Sequence, residues 1–191
     1  MIPVSRPSLS GRERAYLLDA FDSGWISSRG PYVERAEASL REHAANSHAA
    51  VTSNGTTALH LALVALGIGE GDEVIIPSLT CVATLNAVLY TGAAPVVVDV
   101  DPGTWCIDPA AVERAMSDAT AGILAVDLFG HPAPYAELRR VVAERPIALI
   151  ADAAESFGGR IDDRPVGTVA DVTTLSFLGN KVITSVRAAL S

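Results

Sequence analysis

Short, uninterrupted apolar runs alternate along this chain with stretches whose apolar residues recur at helical spacing. Val74-Ile75-Ile76-Pro77, Val96-Val97-Val98-Asp99 and Ile147-Ala148-Leu149-Ile150-Ala151-Asp152 lack polar alternation, as expected of strands covered by helices on both faces. Strand-like runs fall at 48–52, 73–77, 95–99, 122–128, 146–151 and 171–177, and helical patterns at 55–66, 80–91, 109–116 and 133–144. The alternation predicts βαβ units, a mostly parallel sheet and a layered α/β fold.

Upstream of this pattern the chain reads as helical. Ser10-Gly11-Arg12-Glu13 forms a capping box, and Tyr16, Leu17, Ala20 and Phe21 recur at helical spacing until Ser23-Gly24, predicting a helix over about 11–22. Trp25 to Gly30 reads as a loop, and Pro31 suits the first turn of a second helix carrying Val33, Ala36 and Leu40. Residues 1–46 are therefore expected to form an N-terminal helical arm on a large domain spanning 47–191, with no internal repeat or linker inside it. Gly67-Ile68-Gly69-Glu70-Gly71 follows a helix and precedes a strand. That is the reverse of a dinucleotide fingerprint, and it reads as a turn.

Composition narrows the function classes. With 191 residues, 49% hydrophobic, and a mean hydropathy of +0.32, the chain can bury a sizeable core. No apolar run approaches the roughly 18 residues of a membrane span, and Met1-Ile2-Pro3-Val4 lacks the basic start of a signal peptide. A cytoplasmic protein with no membrane partner is expected. A net charge of −8 argues against a nucleic-acid partner, which needs clustered cations. Cys81 and Cys106, and His43, His48, His60 and His131, show no metal-ligand spacing, so no metal site is expected.

Candidate chemistry centres on one amine. Lys181 is the only lysine, the other basic residues being arginines. An arginine keeps its proton at any working pH, whereas a desolvated lysine can lose it and attack a carbonyl. Ser53-Asn54-Gly55-Thr56-Thr57 follows a predicted strand and opens a helix, where free N–H groups and the helix dipole suit a phosphate, or where the segment is a plain N-cap turn. Asp152 ends an apolar strand, at the sheet edge where ligands of open α/β folds sit. A carboxylate there either caps the next turn or meets a cation such as a protonated pyridine nitrogen. Ser176 ends another predicted strand, shortly before Lys181.

Gly-Thr at a helix start, Asp152-Ala153-Ala154-Glu155 after a strand and Ser176-Phe177-Leu178-Gly179-Asn180-Lys181, in this order, resemble the DegT/DnrJ/EryC1/StrS family of pyridoxal-phosphate-dependent nucleotide-sugar aminotransferases, nearest its perosamine-forming branch. Ile2-Pro3-Val4, Pro7-Ser8-Leu9, Trp25-Ile26-Ser27-Ser28 and Gly130-His131-Pro132 extend the likeness from residue 1 to about Thr184. The resemblance implies a fold-type I, aspartate aminotransferase-like large domain and a homodimer. It implies pyridoxal 5′-phosphate as cofactor, with Lys181 as the catalytic lysine that holds it covalently and then shuttles a proton. Asp152 would pair with the pyridine nitrogen, Gly55, Thr56 and Ser176 would hold the phosphate, and Glu155 would lie near the ring. Trp25 and Ser28 would belong to the substrate side. The reaction implied moves an amino group from an amino acid, usually glutamate, to a keto nucleotide-sugar such as GDP-4-keto-6-deoxymannose, in O-antigen or other surface-polysaccharide synthesis. A related sugar dehydratase would carry His in place of Lys181.

Three departures accompany the likeness. Cys81 stands where the family usually has an aromatic to stack on the cofactor, and Asp127 where relatives commonly carry a substrate-side His. After Thr184 the family continues through further strands into a small C-terminal domain, roughly doubling this length, whereas Ser185 to Ser191 follow here. The sequence reading is thus a frameshifted or truncated frame lacking that domain, with low activity expected. The competing readings are a non-catalytic binding or regulatory fragment and one half of a split enzyme.

Overall fold

The computed structural model describes residues 2–3, 6–9, 11–44 and 48–185, with the backbone of 189–190. Two helices open it, α1 (Glu13–Asp22) and α2 (Pro31–His43). α1 starts two residues later than the sequence pattern predicts. Its Glu13 does reach back to the Gly11 N–H at 2.8 Å, while Ser10, the other half of the predicted capping box, lies outside the described residues. α1 buries none of its residues, whereas α2 sets Leu40 among Ala153, Val166, Leu175 and Phe177.

The remaining elements are β1 (Val51–Thr52), α3 (Gly55–Ala65), β2 (Glu73–Pro77), α4 (Val82–Thr91), β3 (Ala94–Val98), α5 (Pro109–Ala115), β4 (Thr120–Val126), α6 (Tyr135–Val142), β5 (Ala148–Asp152), β6 (Arg160–Ile161), β7 (Arg164–Pro165), β8 (Val172–Ser176) and β9 (Ala189–Leu190). Every predicted strand and helix is present, with ends displaced by up to a few residues. The predicted helix 80–91 begins at Val82 because Cys81 is extended, and 133–144 begins at Tyr135 behind Pro134.

Seven strands form one sheet in the order β1-β9-β8-β5-β4-β2-β3. β3, β2, β4, β5 and β8 run parallel to one another, and β9 is antiparallel to both β1 and β8. Strand geometry sends successive side chains to opposite faces. Ile75, Ile123, Ala125, Leu149 and Ala151 accordingly join α5 and α6 through Val112, Tyr135 and Leu138, while Val74, Ile76, Leu124, Val126 and Ile150 join α3 and α4 through Leu59, Leu63, Ala87 and Val88. Both faces are covered, which explains why these strands read as continuous apolar runs.

Two elements escape the hydrophobic pattern. β6 and β7 form a two-residue hairpin in which Asp162 and Asp163 take positive φ, 47° and 61°. A type I′ turn demands that of both central residues, and Asp tolerates it without the usual Gly. β9 is only two residues long.

All parallel strands point their carboxyl ends to one edge, and the chain reverses its direction of travel across the sheet between β3 and β4, the arrangement in which open α/β folds bind ligands. Among the described residues no helix is long and apolar enough to cross a membrane. Leu149, in β5, is fully buried. Leu149→Ala is expected to lower the unfolding free energy by about 2–5 kcal/mol, read as a lower urea midpoint at unchanged m-value.

Candidate active site

Asp152, Ser176 and the start of α3 meet at the carboxyl edge. Val126, Asp152 and Thr174 are level across β4, β5 and β8, so Ser176 stands two residues past that row. α3 begins with Asn54 as its cap, its Oδ1 accepting from the Thr57 N–H at 3.0 Å and the Thr57 hydroxyl at 3.1 Å. Asn54 thus does cap the helix. Gly55 and Thr56 follow at the turn whose N–H groups have no preceding carbonyl. A Cβ built on Gly55 would lie 3.3 Å from Ser176 Cβ and 3.4 Å from its Oγ. The missing side chain lets the helix start come up against the Ser176 hydroxyl, leaving backbone and hydroxyl donors side by side.

The Asp152 carboxylate is buried. Oδ2 accepts from Thr84 Oγ1 at 3.0 Å, and Thr84 in turn contacts Thr80 Oγ1 at 2.8 Å; Oδ1 accepts from the Ala154 N–H at 3.2 Å. Burial pushes its pKa above the ordinary value, against the pull of Thr84, of the Ala154 N–H and of Lys181; the nearby Asp127 charge adds to the rise. A carboxylate that remains destabilised after two hydrogen bonds is one that a further cation would relieve.

Lys181 supplies the amine. It follows β8 in the turn closed by its own N–H to the Leu178 carbonyl at 2.9 Å. Its Nζ stands 3.2 Å from Glu155 Oε1, with only 13% of the side chain exposed. Glu155 Oε2 accepts from the Phe129 N–H at 2.8 Å. Phe129, Glu155, Asn180, Lys181 and Val182 line a cleft of about 240 Å³ at this point.

The other sequence candidates lie apart or beneath. Trp25 is half exposed and packs on Gly30, and Ser28 is exposed. None of the interactions described for them reaches Lys181. Cys81 is exposed at the head of α4. Asp127 is fully buried, hence behind the surface a substrate could touch. Ser156 and Tyr135, its partners, carry no motif that marks them in the sequence. No cluster of three or more His, Cys, Asp or Glu suited to a metal occurs among the described residues.

The raised pKa of Asp152 sets a sign for stability against pH. The folded state holds the proton more tightly than the unfolded chain, so the group's contribution is full below its ordinary value of 3.8 and is lost as pH rises through the folded value. Asp152→Asn, neutral throughout, should gain on the parent in urea-unfolding free energy as pH goes from 4 to 7 in the ligand-free protein. An unchanged difference across that range would contradict the shift.

The profile of the DegT/DnrJ/EryC1/StrS aminotransferase family matches residues 7–188. GDP-perosamine synthase of Escherichia coli O157:H7 is 45% identical over 184 residues, covering 96% of this chain and 50% of that protein. The Vibrio cholerae GDP-perosamine synthase is 45% identical over 185 residues, with 97% and 50% covered. The chain therefore spans about half the length of these relatives. Among solved structures, Spr1654 from Streptococcus pneumoniae in its PLP form superposes with a TM-score of 0.94 at 30% identity, over 99% of this chain and 52% of that one. Motif order, sheet topology and these similarities agree, and the chain belongs to the DegT/DnrJ/EryC1/StrS aminotransferase family.

Proposed function

We propose that this protein binds pyridoxal 5′-phosphate and transfers an amino group from glutamate to a keto nucleotide-sugar, of the GDP-4-keto-6-deoxymannose kind that leads to GDP-perosamine. The observation that carries the reading is the meeting of Asp152, Lys181 and the Gly55–Ser176 contact at one sheet edge. The donor set fits the cofactor: a buried carboxylate short of a cation, an amine and a cradle that a Cβ would fill. The sugar-nucleotide class draws support from the 45% identity to GDP-perosamine synthases.

In this reading Gly55 and Thr56, through backbone N–H groups at the start of α3, and Ser176, through its hydroxyl, hold the phosphate. Asp152 would pair with the pyridine nitrogen and keep it protonated, offsetting its own burial. Lys181 would hold the aldehyde end and carry a proton at Nζ. When bound, the cofactor supplies an electron sink for the electrons released at the donor's α-carbon. Glu155, in contact with Nζ at 3.2 Å, orients the amine beside the ring. Trp25 and Ser28 form part of the substrate side, residues 1–46 serve as an arm on the cofactor-binding unit 47–191, and the working form is a cytoplasmic homodimer.

Borohydride reduction of the protein with pyridoxal phosphate, followed by peptide mass mapping, should place one adduct on Lys181 and none in Lys181→Ala. A parent chain that traps nothing overturns the cofactor reading. Ser176→Ala removes a hydroxyl donor to an anion and is expected to weaken cofactor binding about 10- to 100-fold, measured by absorbance titration. Preference for a UDP- or dTDP-linked keto-sugar over the GDP-linked one, in a mass assay of amination with glutamate, would overturn the nucleotide assignment.

A further inference from the structure

Asp127, which does not line the Lys181 cleft, takes no part in the chemistry proposed above. It is fully buried and makes no ion pair among the described residues. Three donors converge on its carboxylate. Oδ1 accepts from the Tyr135 hydroxyl at 2.6 Å and the Ala133 N–H at 2.9 Å, and Oδ2 accepts from Ser156 Oγ at 2.5 Å. Its own N–H donates to the Asp152 carbonyl at 3.0 Å. Burial pushes the carboxyl pKa up, and the Ser156, Tyr135 and Ala133 donors pull it back.

Tyr135 and Ala133 belong to the entry of α6. Ser156 belongs to the loop after β5 and directly follows Glu155. That serine is gripped on its backbone as well, its N–H donating to the Ala153 carbonyl at 3.2 Å and its carbonyl accepting from the Gly159 N–H at 2.7 Å. The approach is so close that a Cβ on Gly159 would sit 2.8 Å from the Ser156 oxygen. One residue earlier, Glu155 holds both Lys181 Nζ and the Phe129 N–H. Phe129 lies in the turn that Asp127 opens and takes a φ of +53°, a left-handed conformation that persists only where its surroundings enforce it.

The loops after β4 and β5 are thus stitched twice, by Ser156 to Asp127 and by Phe129 to Glu155, and Lys181 Nζ bonds to Glu155 of the second stitch. We propose that Asp127 is a positioning residue for the catalytic lysine, acting through Ser156 to hold Glu155 against Lys181 Nζ. The positioning claim concerns the ligand-free chain; its consequence for catalysis rests on the cofactor reading above.

The lone lysine makes the test direct. In the ligand-free protein, acetylation of Lys181 by acetic anhydride, followed by mass mapping at fixed pH under conditions where circular dichroism shows native folding, reports how firmly the carboxylate partner holds the amine. Ser156→Ala frees the Glu155 loop and should speed acetylation about three- to tenfold, as partial loss of a neighbouring opposite charge implies. Tyr135→Phe deletes another hydrogen bond to the same carboxylate. It should lower the thermal midpoint yet leave the Lys181 rate within twofold of the parent. Glu155→Gln sets the upper rate, and Ser156→Cys, which keeps the size and weakens the donor, should fall between parent and Ser156→Ala and serves if the alanine variant does not fold. Equal rates in the Ser156 variants and Tyr135→Phe would overturn the proposal. Failure of the cofactor reading shows separately, as absence of a borohydride-trapped adduct on Lys181 of the parent protein.

Discussion

Burying the carboxylate of Asp152 at the end of β5 costs more than the Thr84 hydroxyl and the Ala154 N–H return, and the upward push on its pKa registers the deficit. Charged groups taken out of water are held in place by a partner or they shift toward neutrality. Much of the surrounding architecture serves this one group. β4 and β8 flank it at the same level, α4 brings Thr84 to it, and the turn after β8 brings Lys181 close enough to lower its cost. A pyridinium nitrogen would supply the remaining compensation, and the same carboxylate would in return keep the ring electron-poor.

The sheet makes such a convergence possible without long-range design of each loop. In a parallel array covered on both faces, every strand releases its chain at the same edge. Thr52, Val126, Asp152 and Ser176 are all last residues of their strands, and the residues that follow them supply the cradle, the buried Asp127, the Glu155 loop and the lysine. The apolar cores on the two faces do not touch the chemistry; they fix where the chain ends leave the sheet.

The strands and helices were legible because burial on two faces writes itself into sequence as short continuous apolar runs, and 3.6-residue spacing marks the covers. Asp152, Ser176 and Gly55 could be placed because each sits where a strand ends or a helix starts. What escaped did so for separate physical reasons. β9 pairs through two residues, too few for any period, and the β6–β7 turn uses Asp162 and Asp163 in a conformation usually signalled by Gly. Asp127 was visible only as an unexpected residue type. Its role depends on Ser156 and Tyr135, which approach it through the fold and stand at no recognisable spacing from it. Trp25 and Ser28 show the converse, positions singled out by resemblance that the interactions described for them leave apart from the lysine.

The position of β9 bears on when the site comes into being. β1, which feeds the Gly55 turn, does not pair with β8, which ends in Ser176; the two are joined through β9, with Thr52 and Ser176 both opposite Ala189. The Gly55 turn and Ser176, far apart in sequence, are therefore joined by a strand that follows both. Contacts of such wide sequence separation close slowly, because the intervening chain must be ordered first. If the Gly55 turn and Ser176 hold a phosphate as proposed, the place for it would close only once β9 joins β1 to β8, rather than build up as the parallel strands are added.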